Sequence, residues 1–374
     1  MYRVLAAFGP VPFPWKALVL LTLVISSCSQ EAEQRGAAGV PILSAAATAP
    51  DEAPLPDLAA VPVSGDRYFD ETGQTRVGLV KMPYHGGRNI AELSDNPDYL
   101  EAGGILRLLV DEGADARLIA SVALTNEEER QYGERARMAM ANAHLADFVY
   151  ANERDGLLSI GLLANCTSVL GVLAGLQESG TDGDARRVGL VFIDAHGDFN
   201  TPETSLSGML GGMPVAVSAG MALHNLRRSS GLEPALPTRH IVMAGVRDLD
   251  PLEAELVDDS DVQMITVEDI RSLSDNLHAQ MTRLSEETDV IYVHIDMDVL
   301  DPLEVPGHSL NVADGPSSLA LGAALTEMFE YPKVAALGIA STPSGDRDPD
   351  GVSRQAAYNL IQGAIEGVRR RAEG

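Results

Sequence analysis

Short apolar segments recur along the chain from about residue 74: VGLVKMP at 77–83, RLIASVAL at 117–124, LLSIGLLA at 157–164, VGLVFIDA at 188–195, HIVMAGV at 240–246, VQMITV at 262–267, VIYVHID at 290–296 and VAALGIAS at 334–341. Several are continuously apolar rather than alternating, as strands are when both faces are buried. Stretches of helical spacing lie between them, such as 126–153 and 317–331. A last one, SRQAAYNLIQGAIEGVRRR at 353–371, ends in a basic turn that suits a helix dipole. Eight strands joined by long crossovers predict a three-layer α/β/α domain with a mainly parallel eight-stranded sheet. No internal period stands out, which disfavours an eightfold barrel.

In an open parallel sheet, ligands gather outside the carboxyl ends of the strands. Four predicted strands end there in reactive side chains. Cys166 follows LLSIGLLA, Asp194 ends VGLVFI, Arg247 and Asp248 follow HIVMAGV, and Asp296 ends VIYVHI. Two of these ends carry a cluster, DAHGDFNTP from Asp194 and HIDMDVLDP around Asp296. Asp194, His196 and Asp198 recur with period two, as do Asp296 and Asp298, so each set faces one side if its segment stays extended.

Four carboxylates in one crevice repel each other unless positive charge sits among them. Two divalent cations would meet that need, with Asp194 and Asp296 bridging, Asp198 completing one ion, and His196 with Asp298 completing the other. Carboxylates with one imidazole suit ions of the Mn2+ type. A pair of ions roughly 3.5–4 Å apart lowers the pKa of a shared water, making hydroxide available near neutral pH. One such cluster alone would fit a surface turn or helix cap equally well; two, at two strand ends, point to metal.

In these motifs the chain resembles the ureohydrolase family, which includes arginases, agmatinases and formiminoglutamases. The resemblance runs from about Val77 to Arg370 and rests on DAHGDFNTP together with DMDVLDP. It implies an arginase-like fold and manganese ligands at Asp194, His196, Asp198, Asp296 and Asp298. It also implies a shared hydroxide that attacks the central carbon of a guanidinium or related amidine. GVRDLDPLE is similar to the family's substrate-end segment, which implies that Asp250 and Glu253 help read an amino-acid head group. Asn200 and Ser207 stand where arginases contact the substrate carboxylate, although loop residues of this type also serve as backbone caps.

Three segments depart from the family pattern. Where a GGDHS-like segment supplies a metal-binding histidine, LANCTS puts Cys166. Distant members resembling the hydroxyarginine amidinohydrolase of cycloserine biosynthesis also have cysteine there. A thiolate ligand would turn the preference from Mn2+ toward Zn2+ or Fe2+, whereas an inert core cysteine would leave it unchanged. GMLGG stands in place of GNLHG, so Gly211 cannot be the proton-shuttling histidine of arginases. ASTPSGDRDPDG stands in place of an EVNP-like segment, so Ser341 replaces the carboxylate that cradles a guanidinium. Candidate stand-ins are His308 and His85 for the proton, and Asp346 or Asp348 for the cradle.

The expected function is therefore binuclear metal-dependent hydrolysis of a linear amidine or guanidino-type C–N bond. Two alternatives stay open. One is a non-catalytic metal-binding or ligand-binding protein on the same fold; the other is a metal-dependent amide hydrolase, which needs no guanidinium cradle.

Composition narrows the partners. Of 374 residues, 45% are hydrophobic and 22% charged, a soluble balance. A net charge of -27 argues against nucleic acid, whose phosphates need a basic surface. Two cysteines cannot build a disulfide framework. Arg3 and Lys16 are the only charges before residue 31, and the apolar run ALVLLTLVIS leads into ISSC. That pattern resembles a bacterial lipoprotein signal, implying a lipidated Cys28 at the mature N-terminus; a plain secretory signal and a fortuitous apolar run are the other readings. Lipid chains contribute about 0.8 kcal/mol per buried CH2, so a multiply acylated cysteine would anchor the chain to a membrane. The expected organisation is a leader over 1–28, an Ala/Pro-rich tether over 29–73 and one catalytic domain over 74–374. The expected place is the bacterial envelope, facing the periplasm. The outer membrane is favoured because Ser29 and Gln30 carry no acidic retention signal. A small amidine or guanidino substrate is the expected partner, and a homo-oligomer is compatible with the chain.

Overall fold

The computed structural model of the protein describes residues 67–180 and 184–373. The expected leader, the expected lipidation site Cys28 and most of the expected tether lie outside the described residues. The eight expected strands form as β1 (Arg76–Met82), β2 (Asp115–Ser121), β3 (Leu158–Leu163), β4 (Val188–Ile193), β5 (Ile241–Ala244), β6 (Gln263–Ile265), β7 (Val290–Asp296) and β8 (Val334–Ala340). They make one sheet in the order β2-β1-β3-β8-β7-β4-β5-β6. Every pairing is parallel, so the sheet is wholly rather than mainly parallel.

Position in that order explains the sequence pattern. The interior strands β3, β4, β7 and β8 are buried at every residue, whereas edge strand β2 alternates between exposed and partly buried positions. Helices cover both faces, giving the three-layer α/β/α architecture. Each large aliphatic side chain so buried contributes about 1.5–3 kcal/mol.

The helix Glu134–Arg154 packs closely against Val169–Glu178 because Gly171 and Gly175 face it. A Cβ on Gly171 would lie 2.6 Å from the carbonyl oxygen of Asn142. Asn142 then ties the pair together, accepting the Gly171 N–H at 2.9 Å and donating to the Thr167 carbonyl at 3.2 Å. The turn that carries Cys166 is thereby fixed to the layer beneath it.

Two boundaries differ from expectation. The helical spacing from 126 does not become helix until Glu134, because Gly133 takes φ +96 and breaks the run. The acidic turn before it holds other groups: Glu129 accepts from Tyr84 Oη at 2.9 Å, and Glu128 pairs with His144 at 3.0 Å. At the N-terminal side, residues 67–73 pack on the domain instead of belonging to a free tether. Tyr68 is buried, its hydroxyl donates to Glu153, and its carbonyl accepts the Arg76 N–H at 2.7 Å.

The chain builds one flank with β1, β2 and β3, crosses to β4, β5 and β6, and returns with β7 and β8 in the middle. This reversal opens a crevice above the carboxyl ends of β3, β8, β7 and β4. No helix among the described residues is long and apolar enough to cross a membrane.

Candidate metal centre

Local backbone geometry brings the acidic groups together, by a route other than extended strand. The Asp194 N–H donates to the Ala244 carbonyl at 3.0 Å, and a bridge between His196 and Asp248 continues the β4–β5 pairing. The segment then turns at Asp198, whose φ is +48, so the three residues do not form the straight run that period two suggested. After β7, Met297–Val299 is a 3-10 turn in which Asp296 Oδ1 accepts the Asp298 N–H at 3.1 Å. That turn, and not strand alternation, sets Asp298 beside Asp296.

Three overlapping groups result, each with its ligand atoms within 4.8 Å of one another: Cys166 with Asp194 and Asp296, Asp194 with His196 and Asp298, and Asp296 with Asp298 and His308. Cys166 Sγ lies 2.8 Å from Asp296 Oδ2 and 4.0 Å from Asp194 Oδ2. His196 Nδ1 lies 3.1 Å from Asp298 Oδ2 and 3.4 Å from Asp194 Oδ1. His308 Nε2 lies 3.5 Å from Asp296 Oδ1. Asp198 lines the same cavity but belongs to none of the three groups.

The electrostatics fit cations. Burial, and then repulsion from neighbouring carboxylates, pushes Asp194, Asp198 and Asp296 above the usual carboxylate range. Burial also opposes charge on His196, yet hydrogen bonding to Asp194 and Asp298 raises it to about 11. Burial opposes charge on Asp298 too, but His196 and His308 hold it below the ordinary value. Burial and the surrounding aspartates push the Cys166 thiol well up. Four buried carboxylates facing two imidazoles remain short of positive charge. Their oxygen, nitrogen and sulfur donors are of the types that divalent cations take.

The cavity above this cluster has a volume of about 340 Å³. Asn200, Ser207, Asp250, Glu253, His85 and His308 all line it, as do Gly211 and Ser341. Glu253 is buried and accepts the N–H groups of Phe199 at 2.8 Å and Asp250 at 3.1 Å. Asp250 accepts from Asn200 Nδ2 at 3.1 Å and from the Leu206 N–H at 3.2 Å. These two carboxylates therefore position the loop that holds Asn200. Ser207 is exposed and accepts the Met209 N–H at 3.2 Å.

Asp346 does not reach the site. It is exposed on a 3-10 turn and is absent from the cavity wall. Asp348 is also elsewhere: buried, it caps the last helix by accepting the N–H groups of Ser353 at 2.9 Å and Arg354 at 3.0 Å. Ser341 takes φ +60 and donates to Asp296 Oδ2 at 2.8 Å. The residue between the two acids, Arg347, lines the cavity and was not anticipated. Its signal in the sequence was being the one cation of the GDRDPDG turn. Arg247, also at a strand end, is a clamp instead, donating to the carbonyls of Ala313 at 2.7 Å and Val312 at 2.9 Å.

Comparison with known proteins agrees with this fold. The model of the arginase family matches residues 133–365. The arginase of Bacillus caldovelox is 26% identical over 247 residues, which are 64% of this chain and 81% of that enzyme. Among solved structures, an arginase from Bacillus subtilis superposes with a TM-score of 0.68 at 22% identity, over 78% of this chain and 98% of that one. The formimidoylglutamase of Bacillus subtilis subsp. subtilis str. 168 gives 0.60 at 15% identity, over 86% and 96%.

Proposed function

Because the chain belongs to the arginase family, we propose that it is a binuclear metal-dependent hydrolase of a C–N bond in a small linear amidine or guanidino-type molecule. The observation that carries this reading is the overlap of the ligand groups on the carboxyl rim of the sheet. Asp194, Asp296 and Asp298 are each shared between two groups, and Asp194 and Asp296, which also meet in the group of Cys166, would bridge the cations. Cys166 with Asp198 would complete one, and His196 with Asp298 the other. Manganese suits the carboxylates and imidazole, and a Cys166 thiolate would turn the preference toward zinc or iron. When bound, such a pair supplies Lewis acidity and makes water nucleophilic near neutral pH.

The chain's own groups bind, orient and move protons. Glu253 and Asp250 hold the 199–206 loop, keeping Asn200 at the cavity wall. The Leu310 N–H donates to His308 Nδ1 at 3.3 Å, which leaves Nε2 as the protonated nitrogen, facing the aspartates. From there His308 delivers a proton to the departing nitrogen, the work for which Gly211 has no side chain. His85 is the second candidate. Burial, and then the charge of Arg347, lowers its pKa and keeps it a neutral acceptor.

One observation favours the amide alternative. The β8 loop supplies Ser341 and no carboxylate to the cavity, and a neutral amide needs none. Both readings are tested by metal analysis after manganese loading, with urea and ammonia release measured across guanidino and amidino compounds and free-amine release across acylamino compounds. Two ions per chain and turnover of a guanidino or amidino compound are expected. Turnover confined to acylamino compounds would move the assignment to amide hydrolysis. Two ions with no turnover would leave a ligand-binding protein. The leader-like run ending at Cys28 supports a lipid-anchored position facing the periplasm, which we propose as the place of action.

A further inference from the structure

The two sides of the cavity differ in charge. On the β4–β5 side stand Asp248, Asp250 and Glu253. On the other side, formed by the loops after β1 and β8, stand His85, Ser341, Thr342 and Arg347. The β8 loop has two acids beside Arg347 in sequence, and neither neutralises it. Asp346 is exposed outside the cavity, and Asp348 is committed to the N–H groups of the last helix. Ser341 has its hydroxyl on Asp296. Arg347 itself is partly buried, and its guanidinium has no hydrogen-bond or ion-pair partner among the described residues. The backbone before it is fixed, with the Arg347 N–H on the Ser344 carbonyl at 3.1 Å and Gly345 at φ +55.

A partly desolvated guanidinium with five donors and no acceptor is an anion site in waiting, since a carboxylate can meet it with two parallel hydrogen bonds. It is also the wrong group to receive a second guanidinium. The chain as a whole carries a net charge of -27, so its general field favours cations. Selection for an anion here must therefore be local.

We propose that Arg347 is the specificity-determining residue of this cavity, pairing with a carboxylate on the substrate. The substrate class is then a C–N compound with a carboxylate at one end, as opposed to a polyamine-like dication. The inference rests on the hydrolase reading for the location of the reacting bond, but anion recognition by Arg347 can be measured without turnover.

The test uses the manganese-loaded full chain and probes matched except in terminal charge: 4-guanidinobutanoate against agmatine, and 4-acetamidobutanoate against N-acetylputrescine. Calorimetric titration of wild type should favour the carboxylate member of at least one pair by about tenfold or more. Arg347→Gln should erase that preference while manganese content and melting temperature stay at wild-type values. Arg347→Lys should restore part of it, because charge survives and the planar fork does not. Preference for the amine members, no saturable binding of either acid at millimolar concentration, or an unchanged preference in Arg347→Gln would each overturn the proposal. Failure of wild type to hold manganese, zinc or iron would instead strike the hydrolase reading, and the titration repeated on that metal-free protein would still decide the role of Arg347.

Discussion

Cys166 Sγ lies 2.8 Å from Asp296 Oδ2, although the two residues sit at the ends of β3 and β7, which are separated by β8. Contact at that distance puts the sulfur within reach of a cation held between Asp194 and Asp296. Loading with equal free manganese and zinc should give a zinc-richer complement in wild type than in Cys166→His. Cys166→Ala should lose part of one ion. Equal stoichiometry and selectivity in all three proteins would reduce Cys166 to a core residue whose removal costs only a cavity term.

Asp194, Asp296 and Asp298 each belong to two ligand groups, and only Asp194 and Asp296 also meet in the group of Cys166. Asp194→Ala or Asp296→Ala should therefore abolish both ions and all turnover, whereas His196→Ala should weaken one ion more than the other. Elemental analysis of the three variants checks this, and full occupancy in Asp194→Ala would refute the bridging assignment.

Metal removal should lower thermal stability, because cations bound only by the folded state stabilise it by mass action. A hundredfold excess of free ion over its dissociation constant corresponds to about 2.7 kcal/mol per site. The gap between loaded and chelated melting temperatures should narrow as pH falls. Burial and mutual repulsion raise Asp194, Asp198 and Asp296, so in the metal-free fold protons bind there more readily than in the unfolded chain, and acid substitutes for metal. A gap independent of pH would contradict this.

Asp269 offers a pH effect away from the metal. Burial opposes its charge, but hydrogen bonds from Ser274, Thr266 and Asn276 bring it to about 2. A depressed carboxylate stabilises the fold above its unfolded value of 3.8 and loses that contribution as pH falls toward 2. The group is partly solvated, so its worth is about 1 kcal/mol after screening. In chelated protein, Asp269→Asn should be less stable than wild type at neutral pH and should converge with it in strong acid. Parallel denaturation curves would count against the assignment.

The leader makes a separate prediction: the mature chain should begin at a lipidated Cys28 and partition with membranes. Mass spectrometry of the mature N-terminus decides it, and an unmodified Cys28 inside an uncleaved protein would rule it out.

Much of the fold was legible because burial on both faces leaves continuous apolar runs, as in VGLVFI and VIYVHI, and those survive in a single sequence. The clusters at Asp194 and Asp296 were legible because several acids at strand ends have few other uses. Local backbone reversals were not. The break at Gly133 interrupts a stretch whose spacing still reads as helix, and the positive φ of Asp198 replaces an extended run without altering which residues reach the cavity. Between Asp346 and Arg347, only the 3-10 turn decides which side chain faces inward. That choice depends on contacts distant in sequence, so the acid looked eligible and the arginine went unnoticed.

The middle of the sheet is the last part of it to be synthesised. Until β7 and β8 exist, β3 lacks its neighbour on one side and β4 lacks its own, leaving two unpaired apolar edges during translation. The donors follow the same schedule: Cys166, Asp194, His196 and Asp198 emerge well before Asp296 and Asp298. No prefix of the chain contains both Asp194 and Asp296 until β7 is made, so a cation that both would hold could be captured only late in folding. For a chain that crosses a membrane unfolded, the metal would then have to come from the compartment where the final strands insert.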